Sequence, residues 1–329
     1  MKTVLLSAPY IMESLDRFIP VFKHYGLNTL VADVRERLEE TDLLKFAGQF
    51  DGVICGDDRF TEKVMTACLP RIKVISKWGT GIDSIDLEAA KRLDIQVGNT
   101  PNAFTLPVAD TVLGYILAFA RNIPWMDADI KRGEWQKIPG KSLAELTLGV
   151  VGVGNIGKAV LQRARAFGMR LLGNDIVTID PDFVHENHVD MLSLPQLLAE
   201  CDYLSLNCNL NPTSRHLMNE KTLGMMKPDA VLINTARGPI VEEPALIQVL
   251  QMGTLRGAAL DVFEVEPLPA DSPLKGMKNV LLGSHNSNSS PMAWERVHWN
   301  TIRNLLEGLG IPCDDLEQVG EKVINGGLI

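Results

Sequence analysis

Leu146–Gly157 reads LTLGVVGVGNIG, a run of small and β-branched apolar residues that breaks into Gly152-x-Gly154-x-x-Gly157. Such a run ending in such a turn predicts a buried strand that passes directly into a helix. Gly152 permits the tight turn and Gly154 lets a pyrophosphate approach the backbone. Gly157 lets helix and strand pack closely, with the phosphates resting on the helix N-terminus. Glycines also gather in ordinary turns, so the flanks carry the reading. Lys158–Gly168 (KAVLQRARAFG) reads as a helix closed by Gly, and Arg170–Gly173 as a second strand leading to Asp175. Asp175 follows Gly152 by 23 positions, close to the ~20 expected for the acid that binds an adenosine ribose.

The chain has 329 residues, enough for about two domains with ample core. Hydrophobic content of 46% and charged content of 22% are those of a globular protein. A formal net charge of −9 argues against a nucleic-acid partner, which needs a basic face, but leaves room for a local basic pocket. No signal peptide is read, since Met1-Lys2 runs straight into strand-like TVLLSAP. No apolar run approaches the ~20 residues of a membrane span, so no membrane partner is expected. Cys55, Cys68, Cys201, Cys208 and Cys313 are odd in number, scattered and without Cys-x-x-Cys spacing. Free thiols in a reducing cytoplasm follow, with neither a disulfide frame nor a metal site.

Strand and helix patterns alternate along the N-terminal third. Strands are predicted at Thr3–Ser7, Thr29–Ala32, Gly52–Cys55, Lys73–Ser76 and Gln96–Gly98, with helices near Glu13–Tyr25, Thr41–Phe46, Glu62–Cys68 and Asp86–Leu93. Alternation of this kind means a parallel sheet covered by helices. Val108–Arg121 (VADTVLGYILAFAR) is apolar on nearly every face, which predicts a helix buried on all sides, between domains or at a subunit interface. The glycine turn comes after that helix, so the nucleotide domain is the second in the sequence. Six strands are predicted there, at Leu148–Gly152, Arg170–Asn174, Tyr203–Asn207, Ala230–Thr235, Gly257–Val262 and Val280–Leu282, and they fit a doubly wound dinucleotide fold. A last helix near Met292–Leu309 leads to a short tail, as expected if the chain returns to its first domain. The fold class is α/β with two doubly wound parallel sheets.

In open α/β sheets the reacting centre lies at the carboxyl ends of the strands. Asn234-Thr235-Ala236-Arg237-Gly238 follows one predicted strand, Asp261-Val262-Phe263-Glu264-Val265-Glu266-Pro267 the next, and Ser284-His285-Asn286 the last. Taken singly, these are a surface ion pair, solvated loop acids and a structural histidine. Together, downstream of a dinucleotide fingerprint, they are the parts for oxidising a 2-hydroxy acid. An Arg binds the substrate carboxylate in a bidentate fork and polarises the carbonyl. A His exchanges a proton with the hydroxyl, and a carboxylate orients the imidazole and raises its basicity.

Five segments carry a family resemblance: GVVGVGNIGKAV, INTARGPIVEEPAL, AALDVFEVEP with the His285 segment, KWGTGIDSIDLEAAK and NTPNAFTLPVADTVLGYILAFARNIP. From about Gly52 to His285, in order and spacing, the chain resembles the D-isomer-specific 2-hydroxyacid dehydrogenases, and most of all their D-3-phosphoglycerate dehydrogenase branch. The resemblance implies a flavodoxin-like substrate domain built from residues 1–103 and 287–329. Inserted between these is an NAD-binding Rossmann domain of residues 104–286, with a cleft for catalysis. It also implies a homodimer. By position, Arg237 matches the catalytic arginine, Glu266 the acid that supports the histidine, and His285 the general acid/base. Asp175 would bind the ribose hydroxyls, and with no basic residue in the NDIVTID run to hold a 2′-phosphate, NAD is the expected cofactor. Asn155 and Ile156 would offer amides to the pyrophosphate. Thr235 and Ala236 would line the cofactor, and Asp261 would meet the nicotinamide amide. The Gly79-Thr80-Gly81 turn would hold the carboxylate of a small anionic 2-hydroxy or 2-oxo acid as an anion nest.

The chain also departs from its relatives. After His285 it is unusually polar, Asn286-Ser287-Asn288-Ser289-Ser290, which either hydrogen-bonds a polar substrate or caps the last helix. Pro107 stands where the family has Ser, at a helix first turn that tolerates it. The loop after the Gly52–Cys55 strand reads Gly56-Asp57-Asp58-Arg59, two acids that would repel a phosphate, with Arg59 displaced from the phosphoglycerate pattern and Lys77 as another candidate cation. With the chain ending at Ile329, no regulatory domain for serine feedback is expected. D-3-phosphoglycerate is thus one substrate candidate. Glyoxylate, hydroxypyruvate or a pathway-specific 2-oxo acid is another, and a non-catalytic NAD(H)-sensing corepressor of the same fold is a reading of a different class.

Overall fold

The computed structural model describes residues 1–324. The last five positions of the tail assigned to the first domain, 325–329, lie outside the described residues. The chain forms two compact units, Met1–Ala103 with Ser290 onward, and Phe104–Ser289.

The first unit is built on five parallel strands: β1 (Lys2–Leu6), β2 (Leu27–Val31), β3 (Gly52–Cys55), β4 (Val74–Lys77) and β5 (Gln96–Gly98). Their order is β2-β1-β3-β4-β5, the flavodoxin-like arrangement. Every residue of β3 and β4 is buried, because helices cover both faces of a parallel sheet. One face packs Leu5, Val53 and Ile75 against Phe50, Phe60 and Met65. The other is closed by the helix Pro291–Gly308 from the far end of the sequence. Ser290 caps this helix by accepting from the Ala293 N–H, and Pro291 occupies its first turn. Its stripe of Ala293, Val297, Thr301 and Leu305 repeats every four residues and is buried. Ser76 Oγ in β4 donates to Thr301 O across 2.7 Å. Burial of each large apolar side chain in the stripe is worth about 1.5–3 kcal/mol, which ties the returning chain to the first unit.

The second unit holds seven parallel strands rather than six: β6 (Thr147–Val151), β7 (Arg170–Asn174), β8 (Val189–Met191), β9 (Tyr203–Leu206), β10 (Val231–Asn234), β11 (Gly257–Leu260) and β12 (Val280–Leu282). The order is β12-β11-β10-β9-β6-β7-β8, so the direction of winding reverses between β6 and β9. The unexpected strand is β8. At three residues, with two of them exposed, it has no periodicity of its own and exists because β7 offers it a free edge. The helix before it, Pro181–Asn187, carried ordinary start signals in the Asp180 cap and Pro181.

Within the single chain, one helix is one-sided. Thr105–Ala120 is not buried on all sides: Leu106 is 57% exposed, and Asp110 and Gly114 also face outward. Its buried residues Ala109, Val112, Leu113 and Ile116 lie in the core with Val160 and Ala164 of the helix Asn155–Ala166. High overall hydropathy hid this sidedness, which only packing against a single neighbouring layer reveals. Nor does the polar run Asn286–Ser290 act as one element. Residues up to Ser289 belong to the second unit, while Ser290 caps the helix of the first.

Candidate active site

β6 ends at Val151, and Gly152 then takes a left-handed conformation with φ +90°. A Cβ there would lie 2.5 Å from Cys208 N, and one on Gly157 would lie 2.1 Å from Gly152 O. These two glycines are required by the fold itself. A Cβ on Gly154 would meet nothing within 4 Å. The space over Gly154 is thus the one part of the turn that packing leaves open. It adjoins the N-terminus of the helix Asn155–Ala166, whose first-turn amides have no carbonyl partner within the helix. Asp175, just beyond β7, is drawn to this turn: one carboxylate oxygen accepts from Val153 N–H at 2.7 Å and the other from Val177 N–H at 3.1 Å. A carboxylate has about four acceptor positions, so capacity remains for a hydroxyl pair. Thr235 Oγ1, just past the end of β10, is buried with no hydrogen-bond partner among the described residues. An open backbone cradle, an acid beside it and an orphaned buried hydroxyl together fit a dinucleotide.

β10, β11 and β12 end side by side, and their loops converge. Asn234 closes the first loop on itself: its Nδ2 donates to Arg237 O at 2.9 Å and its Oδ1 accepts from Ala236 N–H at 3.1 Å. Gly238 lets this loop press on the next, since a Cβ there would fall 1.9 Å from the Phe263 carbonyl carbon. Within that second loop Glu266 Oε1 accepts from Phe263 N–H at 2.9 Å, which aims Oε2 at His285 Nδ1, 2.9 Å away. His285 itself sits at φ +54°, a region that His visits more readily than most residues but at a cost. Asp261 holds it there. His285 N–H donates to the Asp261 carbonyl at 2.8 Å. Asn286 and Ser287 N–H donate to the two oxygens of its buried carboxylate at 3.0 and 2.8 Å. The carboxylate proposed for a nicotinamide amide is therefore also the staple of the histidine loop.

One feature of this rim gave no signal in the sequence. His216, in the loop after β9, pairs through Nε2 with Glu264 Oε1 at 2.6 Å, and Glu264 N–H donates to Glu243 Oε2 at 3.3 Å. Burial pushes the Glu243 carboxyl above its ordinary range. Glu264 and Glu266 are thus both partners of histidines, and it is topology that assigns each its own.

Residues 113–287 match the profile of the D-isomer specific 2-hydroxyacid dehydrogenase, NAD binding domain family. The chain belongs to this family. It is 37% identical over 299 residues to a D-3-phosphoglycerate dehydrogenase of Methanocaldococcus jannaschii, covering 89% of this chain and 53% of that protein's length. It is 36% identical over 282 residues to a hydroxypyruvate reductase of Thermotoga maritima, covering 84% of this chain and 90% of the relative. In structure it resembles a D-lactate dehydrogenase of Aquifex aeolicus complexed with NAD and lactic acid, with TM-score 0.80 and 26% identity, over 99% of this chain and 96% of that one. The matched residues all fall within the second unit. No helix among the described residues is long and apolar enough to cross a membrane.

In the first unit of this dehydrogenase-family chain, the residues singled out from the sequence lie at the end of β4, just after it, and in the loop after β3. Lys77 is nearly fully buried, with Nζ 3.0 Å from Asp57 Oδ1 and donating to Trp78 O at 3.2 Å. Gly79 takes φ +125°, and its carbonyl accepts from Thr100 N–H at 2.9 Å. The Thr80 side chain donates to Thr100 O at 2.9 Å. This pins the Gly79–Gly81 turn to the following segment by its carbonyls and hydroxyl, leaving its amides as the polar groups the turn can offer. Arg59 is half-buried and its Nε lies 4.0 Å from Glu39 Oε2.

Proposed function

We propose that the chain is an NAD-dependent dehydrogenase that transfers a hydride between the nicotinamide and C2 of a small 2-hydroxy or 2-oxo acid. The observation that carries this reading is the His285–Glu266 pair, aimed by Asp261 and standing at neighbouring strand ends with Arg237. NAD, when bound, supplies the hydride acceptor or donor. Arg237 forks onto the substrate carboxylate and polarises the reacting carbonyl. His285 gives a proton to the carbonyl oxygen during reduction and takes it from the hydroxyl during oxidation. Glu266 accepts from Nδ1–H, which leaves Nε2 as the proton-transferring nitrogen and stabilises the imidazolium. The Gly79-Thr80-Gly81 amides hold substrate carboxylate as an anion nest.

On the cofactor side, the amides of Asn155 and Ile156 receive the pyrophosphate over Gly154, Thr235 and Ala236 line the dinucleotide, and Asp175 takes the adenosine ribose hydroxyls. Asp175 disfavours a 2′-phosphate by charge. The test is the ratio of kcat/KM for NAD and NADP; equal values would remove Asp175 from that role. Relatives named D-3-phosphoglycerate dehydrogenase, hydroxypyruvate reductase and glyoxylate reductase define the substrate panel. Oxidation of NADH followed by absorbance with that panel tests the whole reading. Binding of NADH without turnover of any 2-oxo acid favours the corepressor-like alternative instead.

A homodimer in the cytoplasm completes the proposal. Ile123, Ile130 and Trp135 are 51%, 51% and 87% exposed in and just after the helix Ile123–Lys131, apolar area that a second copy would cover. The five free thiols suit a reducing compartment. Sedimentation at a monomer's mass would overturn the dimer.

A further inference from the structure

In a sheet of order β2-β1-β3-β4-β5, ligands meet the carboxyl ends of the strands around the reversal between β1 and β3. At those ends this chain carries Tyr10 after β1, the run Gly56–Arg59 after β3, and Trp78 with the Gly79–Gly81 turn after β4. We infer that this rim selects 2-oxo acids with an uncharged, unphosphorylated side chain, and that the Asp57–Lys77 pair is the determinant. The inference deepens the dehydrogenase reading above and rests on it.

A bound phosphate carries about −1.5 to −2 charges at neutral pH and needs surplus donors with positive charge. The rim has no surplus. Gly56–Arg59 together with Lys77 holds two acids and two cations. The buried Lys77 ammonium is 3.0 Å from Asp57, so a phosphate brought to Lys77 is also brought to the Asp57 carboxylate. Arg59 shares Glu39 with Arg37, whose Nε donates to Glu39 at 2.8 Å. Asp58 is fully buried and fixed, accepting from Ser7 Oγ and from Leu38 N–H at 2.7 Å.

What the rim offers instead is the partly exposed aromatic surface of Tyr10 and Trp294, packed over the buried Trp78. Tyr10 stacks on Trp78 with centroids 4.5 Å apart, and Trp294 closes the group at 5.2 Å from Tyr10 and 6.0 Å from Trp78. Trp78 immediately precedes Gly79, so this cluster is attached to the turn proposed to hold the carboxylate. Flat apolar faces suit a short, uncharged substituent on C2 and give a phosphate nothing in exchange for its hydration.

Initial rates with NADH should compare hydroxypyruvate with its 3-phosphate ester, two acids that differ only in the phosphate, alongside glyoxylate and pyruvate. The expected result is a kcat/KM for the best unphosphorylated acid at least about 10-fold above that for the ester, because uncompensated like charge is strongly disfavoured. An ester preference overturns the inference and leaves the dehydrogenase reading intact; failure to turn over any of these acids overturns both. Asp57→Asn removes the acid at constant size and should raise the ester's kcat/KM relative to hydroxypyruvate by about 10-fold. Asp57→Ser serves if the first variant does not fold. An unchanged ratio in a folded variant removes the pair as the determinant, and the wild-type comparison stands without any variant.

Discussion

Two His–Glu pairs sit on the same seven-residue loop, Asp261–Pro267, and they are not equivalent. His285 meets Glu266 through Nδ1 at 2.9 Å, and His216 meets Glu264 through Nε2 at 2.6 Å. Both histidines have positive φ. The difference lies in what surrounds them. His285 follows a strand end, its backbone is stapled at three consecutive amides by Asp261, and it neighbours the loop that carries Arg237. His216 lies in a connecting loop, its amide donates to Pro239 O, and its ring is more exposed than that of His285. A histidine and a carboxylate in contact therefore do not make a proton-transfer pair. A fixed ring direction at the carboxyl edge of the sheet does.

The strongest way to break this comparison is to truncate both rings. His285→Ala should lower kcat by about 10²–10⁴-fold, the ordinary worth of a general acid/base, in steady-state assays with the preferred acid. Turnover at the wild-type level would take His285 out of the mechanism. A third histidine sharpens the contrast. His298, in the first unit, is buried and accepts from Trp78 Nε1–H at 3.0 Å; burial holds its pKa down at about 4. A depressed pKa means the native state binds fewer protons than the unfolded chain, so this stability is present above about pH 6.5 and is lost as pH falls through 4. The loss should amount to about 3 kcal/mol in denaturant titrations followed by Trp fluorescence. His298→Gln, which keeps an acceptor for Trp78, should flatten that slope; an unchanged slope assigns it elsewhere.

Asp261→Asn turns one of two acceptors into a donor facing a backbone N–H. A cost of about 1–3 kcal/mol in stability is expected, with a fall in kcat as the His285 backbone loosens. A fall in kcat without loss of stability points instead to direct contact with the cofactor. The smallest effect belongs to His216→Ala, at about 1 kcal/mol or less on stability, because its pair with Glu264 is partly solvated. If that substitution proves as damaging to kcat as His285→Ala, the ranking of the two pairs is reversed.

Much of this was legible in the residues. β3, β5, β7, β12 and the helix Glu62–Cys68 occur where the patterns predict them, since apolar runs bounded by turn residues have few alternatives. β8 was not legible, because a three-residue edge strand takes its conformation from its neighbour. The helix Ile123–Lys131 was missed as well, running on from Thr105–Ala120 after a short break at Arg121-Asn122. The one-sided burial of Thr105–Ala120 was hidden by its uniform hydropathy. At the site, Arg237, Glu266 and His285 stood out by type and order, whereas His216 and the stapling role of Asp261 did not. Their partners are 48 residues away in the first case and 24 to 26 in the second, and no local spacing encodes such meetings.

By itself the amino-acid sequence determined the two parallel sheets, the glycine turn with its acid at Asp175, and the residue types available for hydride-transfer chemistry. These follow from local rules of steric freedom, periodicity and charge, which act within a few residues. Only the tertiary structure decided that Glu264 serves a second histidine, His216, that a Cβ-sized space over Gly154 is left open, and that Lys77 is spent on Asp57. Those outcomes depend on distances between strand ends, and such distances exist only once the sheet has set its order.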